Sequence, residues 1–271
     1  MRFIKVLVKS FFDFFRDGGL MLAGSLSYFS MMAIVPFCLF LVTIFGYFLG
    51  EEKAFYQFLS ARLTSYFPDV TREITEELRR IITYKGLGKL SLVLYGFLSY
   101  ELFSSLEAAT NVIFKVKVKR SFIVSVILSL VVVTSIIAFF LISFSATSMI
   151  SMLKPIQELF PGLKIGRITV FFIRFVIPFV LMFVTVAILY VLLPKKRIKF
   201  THAFSGALFT AVFLEAAKHL FTLYVVNVFK LGTVYGPLSA FVIFLLWVFY
   251  SACIFLIGAE VVHNLEASRE K

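Results

Sequence analysis

Residues 121–150, SFIVSVILSLVVVTSIIAFFLISFSATSMI, contain no acidic, basic or histidine side chain. A helix in water needs a polar face, so a run of this length and polarity has few soluble solutions. It fits a hydrocarbon slab about 30 Å thick, which about 20 apolar residues cross as a helix. Further apolar runs lie at 20–50, 87–113, 168–193, 200–228 and 234–262, divided by short charged patches. Composition agrees, at 61% hydrophobic and 15% charged residues with a mean hydropathy of +0.98. Soluble domains average about 45–50% apolar and about 25% charged. The expected fold class is an all-α integral membrane protein, with six transmembrane helices in a single polytopic domain over 1–271.

The net charge of +12 raises the possibility of a nucleic-acid partner, but the basic residues cluster where a membrane protein would put them. KVKVKR (115–120) and KKRIK (195–199) are tight connections between apolar runs. Cytoplasmic loops collect Lys and Arg because positive segments resist translocation. The expected partners are therefore the lipid bilayer and, at these basic loops, anionic lipid headgroups, with no nucleic acid. Four Lys or Arg precede the first run and four lie in each tight connection, whereas 229–233 carries only Lys230. Segment 51–85 carries six, balanced by six acids, and long segments count weakly. Both ends are expected in the cytoplasm (N-in/C-in), with the chain crossing its membrane as a multi-pass protein.

The first residues, RFIKVLVKSFFDFFRD, space Arg2, Lys5, Lys9, Asp13 and Arg16 three or four apart. One polar stripe on an otherwise apolar helix predicts an N-terminal interfacial amphipathic helix over 1–17. A secretory signal is the rival reading, but the apolar run that follows is too long and lacks a small-residue cleavage site. Taken as one helix, 20–50 would stretch about 46 Å, and Pro36 removes a backbone hydrogen bond, so tilt or a kink near Val35 is expected. GYFLG (46–50) has the GxxxG spacing that permits close helix approach.

In 51–85, Phe55, Phe58, Leu59 and Leu63 recur at helical spacing, as do Ile74, Leu78, Ile81 and Ile82. Pro68 and Asp69 divide the two sets, and Asp69 can cap the second helix. This predicts an amphipathic, outer-face (extracytoplasmic) helical hairpin. KPIQELFPGLK (154–164) is a shorter outer connection. YGxLS occurs at both 95–99 and 235–239, an echo that would imply a parallel repeat if it is more than chance.

Ionisable groups at membrane depth cost about 2.5–3.5 kcal/mol each on insertion scales, so they face protein or water. The candidates are Glu101 and Glu107 in the second run, Arg174 in the fourth, Glu215, Lys218 and His219 in the fifth, and Glu260 in the sixth. Glu215 stands i,i+3 to Lys218 and i,i+4 to His219, so the three share one helix face. They form either a self-neutralising group that lets the helix insert or a polar site in which His219 or Glu215 exchanges protons. Ser104, Glu107 and Asn111 form a second stripe at spacings of three and four. No basic residue lies between Lys89 and Lys115, so Glu101 and Glu107 lack a partner on their own helix. Arg174 and Lys218 are the expected counter-charges, in a cluster of the second, fourth and fifth spans with Glu107 and Arg174 as its principal members. Glu260, near the inner end of the sixth span, is expected to be interfacial.

Enzyme signatures are missing. EAAKH (215–219) is not HExxH, no GxSxG occurs, and KGLGKLS (85–91) lacks the first glycine and the Ser or Thr of a phosphate loop. His202, His219 and His263 are scattered, and Cys38 and Cys253 stand alone in apolar runs. No catalytic residue, metal site or cofactor is expected.

LSYFSMMAIVPF (26–37), ELFSSLEAATNVIF (101–114), EAAKHLFTLY (215–224) and YGPLSAFVIFLLWVFYSACIFLIGAE (235–260) resemble the first, second, fifth and sixth spans of the YihY/BrkB family of bacterial inner-membrane proteins. The matching positions are Tyr28, Pro36, Glu107, Asn111, Glu215, Lys218, Tyr224, Tyr235, Gly236, Trp247, Gly258 and Glu260. Segment 51–85 is less like the shared pattern. The resemblance implies six spans with both ends cytoplasmic and does not supply a substrate. Some members are linked to serum resistance and envelope traits, and others have carried a ribonuclease label that no acid cluster here supports. The expected function is a transporter or exporter of an amphipathic or lipid-like substrate. The alternative is a non-transporting envelope scaffold or partner-binding protein whose polar groups only fix packing.

Overall fold

In the computed structural model the described residues are 2–33, 87–116, 121, 123–128, 132, 171–228 and 239–268. Apart from turns and short connections they are helical, with no strand among them. Helix α1 is Arg2–Arg16, α2 is Gly19–Ala33 and α3 is Leu87–Ile113. A π-helical turn, Phe172–Val176, leads into α4, Ile177–Leu192. Helix α5 is Phe200–Val228 and α6 is Ser239–Ala267. Helices α3 and α5 have the bounds of the second and fifth apolar runs, and α6 continues five residues past the expected 262. The Pro36 kink, the GxxxG at 46–50, the hairpin at 51–85, the connection at 154–164, and Tyr235 with Gly236 lie outside the described residues, as does most of the run at 121–150.

Among the described residues two helices are long and apolar enough to cross a membrane, Phe200–Phe221 and Phe241–Ala267, and two shorter ones are apolar, Gly19–Ala33 and Ile177–Leu192. Their ends have local causes. Gly18, at φ +73°, breaks the chain between α1 and α2. A Cβ on the next residue, Gly19, would strike the ring and carbonyl of Phe14. Helix α3 closes on Lys115 in the left-handed region, at φ +56°. There the Lys115 N–H meets Val112 O at 3.1 Å and the Val116 N–H meets Asn111 O at 2.9 Å. The π turn stands just before Pro178, which has no N–H to give and whose ring would crowd the carbonyl of Arg174. Widening the turn, with the Ile177 N–H on Phe172 O, accommodates both.

The chain divides into two compact units. The first comprises 1–20, 106–218 and 253–271, and the second 21–105 and 219–252. In the first unit, Tyr190, Leu193, Ala203, Ala207, Ala211, Leu256 and Val262 form the core, with Gly206 and Gly258 where α5 and α6 approach. A Cβ on Gly206 would lie 2.9 Å from Gly258 O and would strike Val262. In the second unit Leu26, Phe103 and Ala252 are buried. Ser25 and Ser105 share a hydroxyl hydrogen bond of 3.0 Å across α2 and α3. The Phe221 and Trp247 rings meet at 5.1 Å across α5 and α6.

The outward faces are apolar in register. On α4, Ile177, Val180, Val184, Ile188 and Val191 are exposed, and on α5 Phe200, Phe204, Leu208 and Val212. Helix α1 presents Ile4, Val8, Phe11, Phe12 and Phe15 outward, with Phe12 67% exposed, while Ser10 and Asp13 are buried. A helix in water would show the opposite pattern. The N-terminal polar stripe is thereby divided, because Lys5, Lys9 and Arg16 stay exposed but Asp13 turns inward.

Candidate functional site

Among the described residues of the first unit, polar side chains from different parts of the chain meet at three places. The first is built on Glu107, two turns before the end of α3 and only 6% exposed. Lys195 Nζ lies 2.7 Å from Glu107 Oε1, and the Ser125 hydroxyl donates to Oε2 at 3.2 Å. Both charged side chains are largely enclosed. Asn111, one turn further along α3, has a buried side-chain oxygen with no hydrogen-bond partner. Thr110 turns its hydroxyl back onto the carbonyls of Leu106 and Glu107, at 2.9 Å each.

Glu107 therefore pairs with a residue of the basic connection 195–199 rather than with Arg174 or Lys218. The reason is depth. Arg174 precedes Lys195 by more than five turns of nearly continuous helix, roughly 30 Å, and so stands toward the far end of that helix from Lys195. Its place is the middle of the π turn. Lys218 is instead paired within α5, with Nζ 2.6 Å from Glu215 Oε1, and is half exposed. His219 is exposed, and Glu101 and Ser104 in the second unit are half-buried. The expected single cluster is thus at least two groups. In sequence terms, Lys195 was read as an orientation signal. Glu107, about two turns from the basic 115–120 stretch, already stood near the level of the basic connections.

The second place joins α1 to α6. Asn264 donates from Nδ2 to Ser10 Oγ at 3.1 Å and to Asp13 Oδ2 at 3.0 Å, using both amide protons. Ser10 passes its own proton to Val6 O at 2.8 Å. Arg16 lies 2.7 Å from Asp13 Oδ1 and 3.5 Å from Asp17 Oδ1. One turn before Asn264, Glu260 is wholly buried, and neither of its carboxylate oxygens has a partner. Glu260 faces protein rather than water there, because α1 brings its polar side against that end of α6. Further along, Glu266 pairs with His202 Nδ1 and accepts a weaker bond from the Lys199 N–H at 3.5 Å.

The third place is a knot of three helices. Tyr190 on α4 donates its phenol proton to Phe255 O on α6 at 2.6 Å, so Thr210 on α5, 2.7 Å away, donates to the phenol oxygen. Gly258 leaves room for this, since a Cβ there would strike both Thr210 and Tyr190. Nothing in the sequence pattern marked Thr210 or Tyr190. Of the other family-signature positions, Tyr28 and Tyr224 are exposed and Trp247 packs on Phe221. Among the described residues no group of three His, Cys, Asp or Glu side chains could hold a metal ion.

The family model described as "Virulence factor BrkB" matches residues 11–271. The chain belongs to the BrkB family. Similar relatives of this BrkB chain include a UPF0761 membrane protein of Rhodospirillum centenum, 27% identical over 256 residues, covering 93% of this chain and 55% of that protein. A UPF0761 membrane protein of Vibrio vulnificus is 30% identical over 242 residues, covering 88% and 75% respectively. One of Aliivibrio fischeri is 29% identical over 252 residues, covering 90% and 77%. The chain thus spans about half the length of the Rhodospirillum relative and about three quarters of the other two. All three are named membrane proteins, which agrees with the outward apolar faces of the BrkB helices. No solved structure matches the chain.

Proposed function

We propose that this BrkB-family chain is a six-span, multi-pass protein of the bacterial inner membrane with both ends in the cytoplasm. It moves an amphipathic or lipid-like substrate, without enzymatic chemistry and without a nucleic-acid partner. The observation that carries this reading is the enclosed Glu107–Lys195 pair, with Ser125 on one carboxylate oxygen and the unpartnered oxygen of Asn111 one turn away. Such a group holds both signs of charge and a spare acceptor beside apolar helix faces, which suits a charged headgroup joined to an apolar body. The basic stretches 115–120 and 195–199, one of which supplies Lys195, would draw anionic headgroups to that end of the helices.

The alternative scaffold reading draws on a different observation. Glu215 is satisfied by Lys218 within its own helix, which is all that insertion requires of the pair. Single cysteines at 104, 107, 174 and 215, in a chain lacking Cys38 and Cys253, separate the two when treated with a membrane-impermeant maleimide in intact cells and in inverted vesicles. Transport requires labelling at several of these positions, and loss of activity in Glu107→Gln at unchanged membrane abundance. Uniform protection in a folded, inserted protein favours the scaffold.

A further inference from the structure

We propose that Glu260 is a proton-binding site. It lies fully buried on α6 with both carboxylate oxygens unpartnered, and Asp17, in the turn after α1 and near enough to act on it electrostatically, has a second buried orphan, Oδ2. Four charges act on Glu260. Asp17 and Asp13 share its sign, and Lys115 and Arg16 oppose it. Neither cation is available to neutralise it directly. Arg16 is engaged by Asp13 and Asp17, and Lys115 is exposed at the end of α3. His263, on the same helix, packs edge-on against the ring of Phe114 at 5.8 Å.

An ionised Glu260 would be a buried negative charge with no donor, facing two like charges, which is the costliest state for a carboxyl group. Three things could relieve it. A metal ion needs a set of ligands that the described residues do not supply. A cationic side chain would have to leave the aspartates or the surface. A proton needs neither space nor further ligands, and it turns one orphan oxygen into a donor within a group that already holds an orphan acceptor.

The placement also gives the proton a mechanical consequence. Asn264, one turn beyond Glu260, is the residue that fastens α1 through Ser10 and Asp13. Ionising Glu260 adds a third carboxylate to the cluster that α1 closes over, so loss of the proton favours release of α1, and release of α1 favours loss of the proton. This inference is independent of the transport reading, since it rests on burial and partnering and not on any substrate path.

The test is infrared difference spectroscopy of the full chain in lipid nanodiscs, as a function of pH and in heavy water. At neutral pH a protonated-carboxyl band sensitive to heavy water is expected, moved by isotopically labelled glutamate and absent from Glu260→Gln. The same band should persist in Glu107→Gln, whose carboxylate is ion-paired. Spin labels at positions 9 and 268 should draw apart when the band is lost at alkaline pH, and Glu260→Gln should hold them together. Absence of a glutamate-derived band at neutral pH overturns the proposal. That absence needs no substitution to be read, so the proposal can be overturned even if Glu260→Gln fails to fold, and Glu260→Asp, which should move the band out of the glutamate set, then assigns it. A band that added sodium abolishes at fixed pH also overturns it, in favour of a metal cation.

Discussion

The phenol oxygen of Tyr190 stands between the hydroxyl of Thr210, 2.7 Å away, and the carbonyl of Phe255, 2.6 Å away. One atom thereby links α4, α5 and α6. Because an α-helical carbonyl already accepts a bond from its own helix, the Tyr190 proton is a second claim on Phe255 O, made possible by the close approach at Gly258.

Tyr190→Phe keeps the ring and removes both bonds, leaving the Thr210 hydroxyl buried without its acceptor. The expected loss is about 1–3 kcal/mol, read as a lowered midpoint of thermal unfolding in detergent. A midpoint indistinguishable from wild type would mean that the knot follows packing rather than guiding it.

Gly258→Ala brings a methyl group against Thr210 and Tyr190. Alanine is the better helix former by about 1 kcal/mol, but overpacking a well-filled core costs about 1–3 kcal/mol, and the contact here involves two helices at once. Membrane abundance should fall. Gly24→Ala, where nothing lies within 4 Å of the added carbon, serves as the control and should match or exceed wild type.

The two ion pairs should behave differently. Lys195→Met strands an enclosed carboxylate, with an expected cost of about 3–5 kcal/mol. The double variant Glu107→Gln, Lys195→Met should recover most of it. Lys218→Met breaks a pair whose basic member is half exposed, and should cost about 0–1 kcal/mol. A double-mutant cycle on unfolding midpoints measures both couplings, and equal values would contradict the difference in burial.

The phenylalanine face of α1 should lie in hydrocarbon. An environment-sensitive dye at position 12 should emit blue-shifted and be quenched by brominated lipid, whereas the same dye at Lys9, on the polar side and exposed, should not. Equal quenching at both positions would mean that α1 is not held with Asp13 inward.

How far the sequence reading reached depends on what ends or pairs each element. The bounds of α3 and α5 were legible because apolar runs stop where Lys and Arg begin, and a helix in lipid stops for the same reason. The Glu215–Lys218 pair was legible because both partners share one helix. Glu107 with Lys195 was not, since a lysine in a basic connection serves orientation equally well and only the fold shows which one turns inward. Asn264 with Asp13 spans almost the whole chain, and no local pattern announces it. The burial of Glu260 was illegible for the same reason, because its surroundings belong to α1.

The π turn at Phe172–Val176 holds one residue more than an α-helical turn would. It therefore works as an insertion absorbed inside a helix. Deleting one residue from 172–176 would leave α4 its Tyr190 face toward α5 and α6, but would bring back the conflict with Pro178 that the wider turn relieves. The same deletion within α5 would rotate everything beyond it by about 100° and carry Thr210 away from Tyr190. Among the described helices, a one-residue deletion should thus spare the Tyr190 contacts when it falls in this five-residue window, at a cost set by Pro178, and break them when it falls in α5 ahead of Thr210.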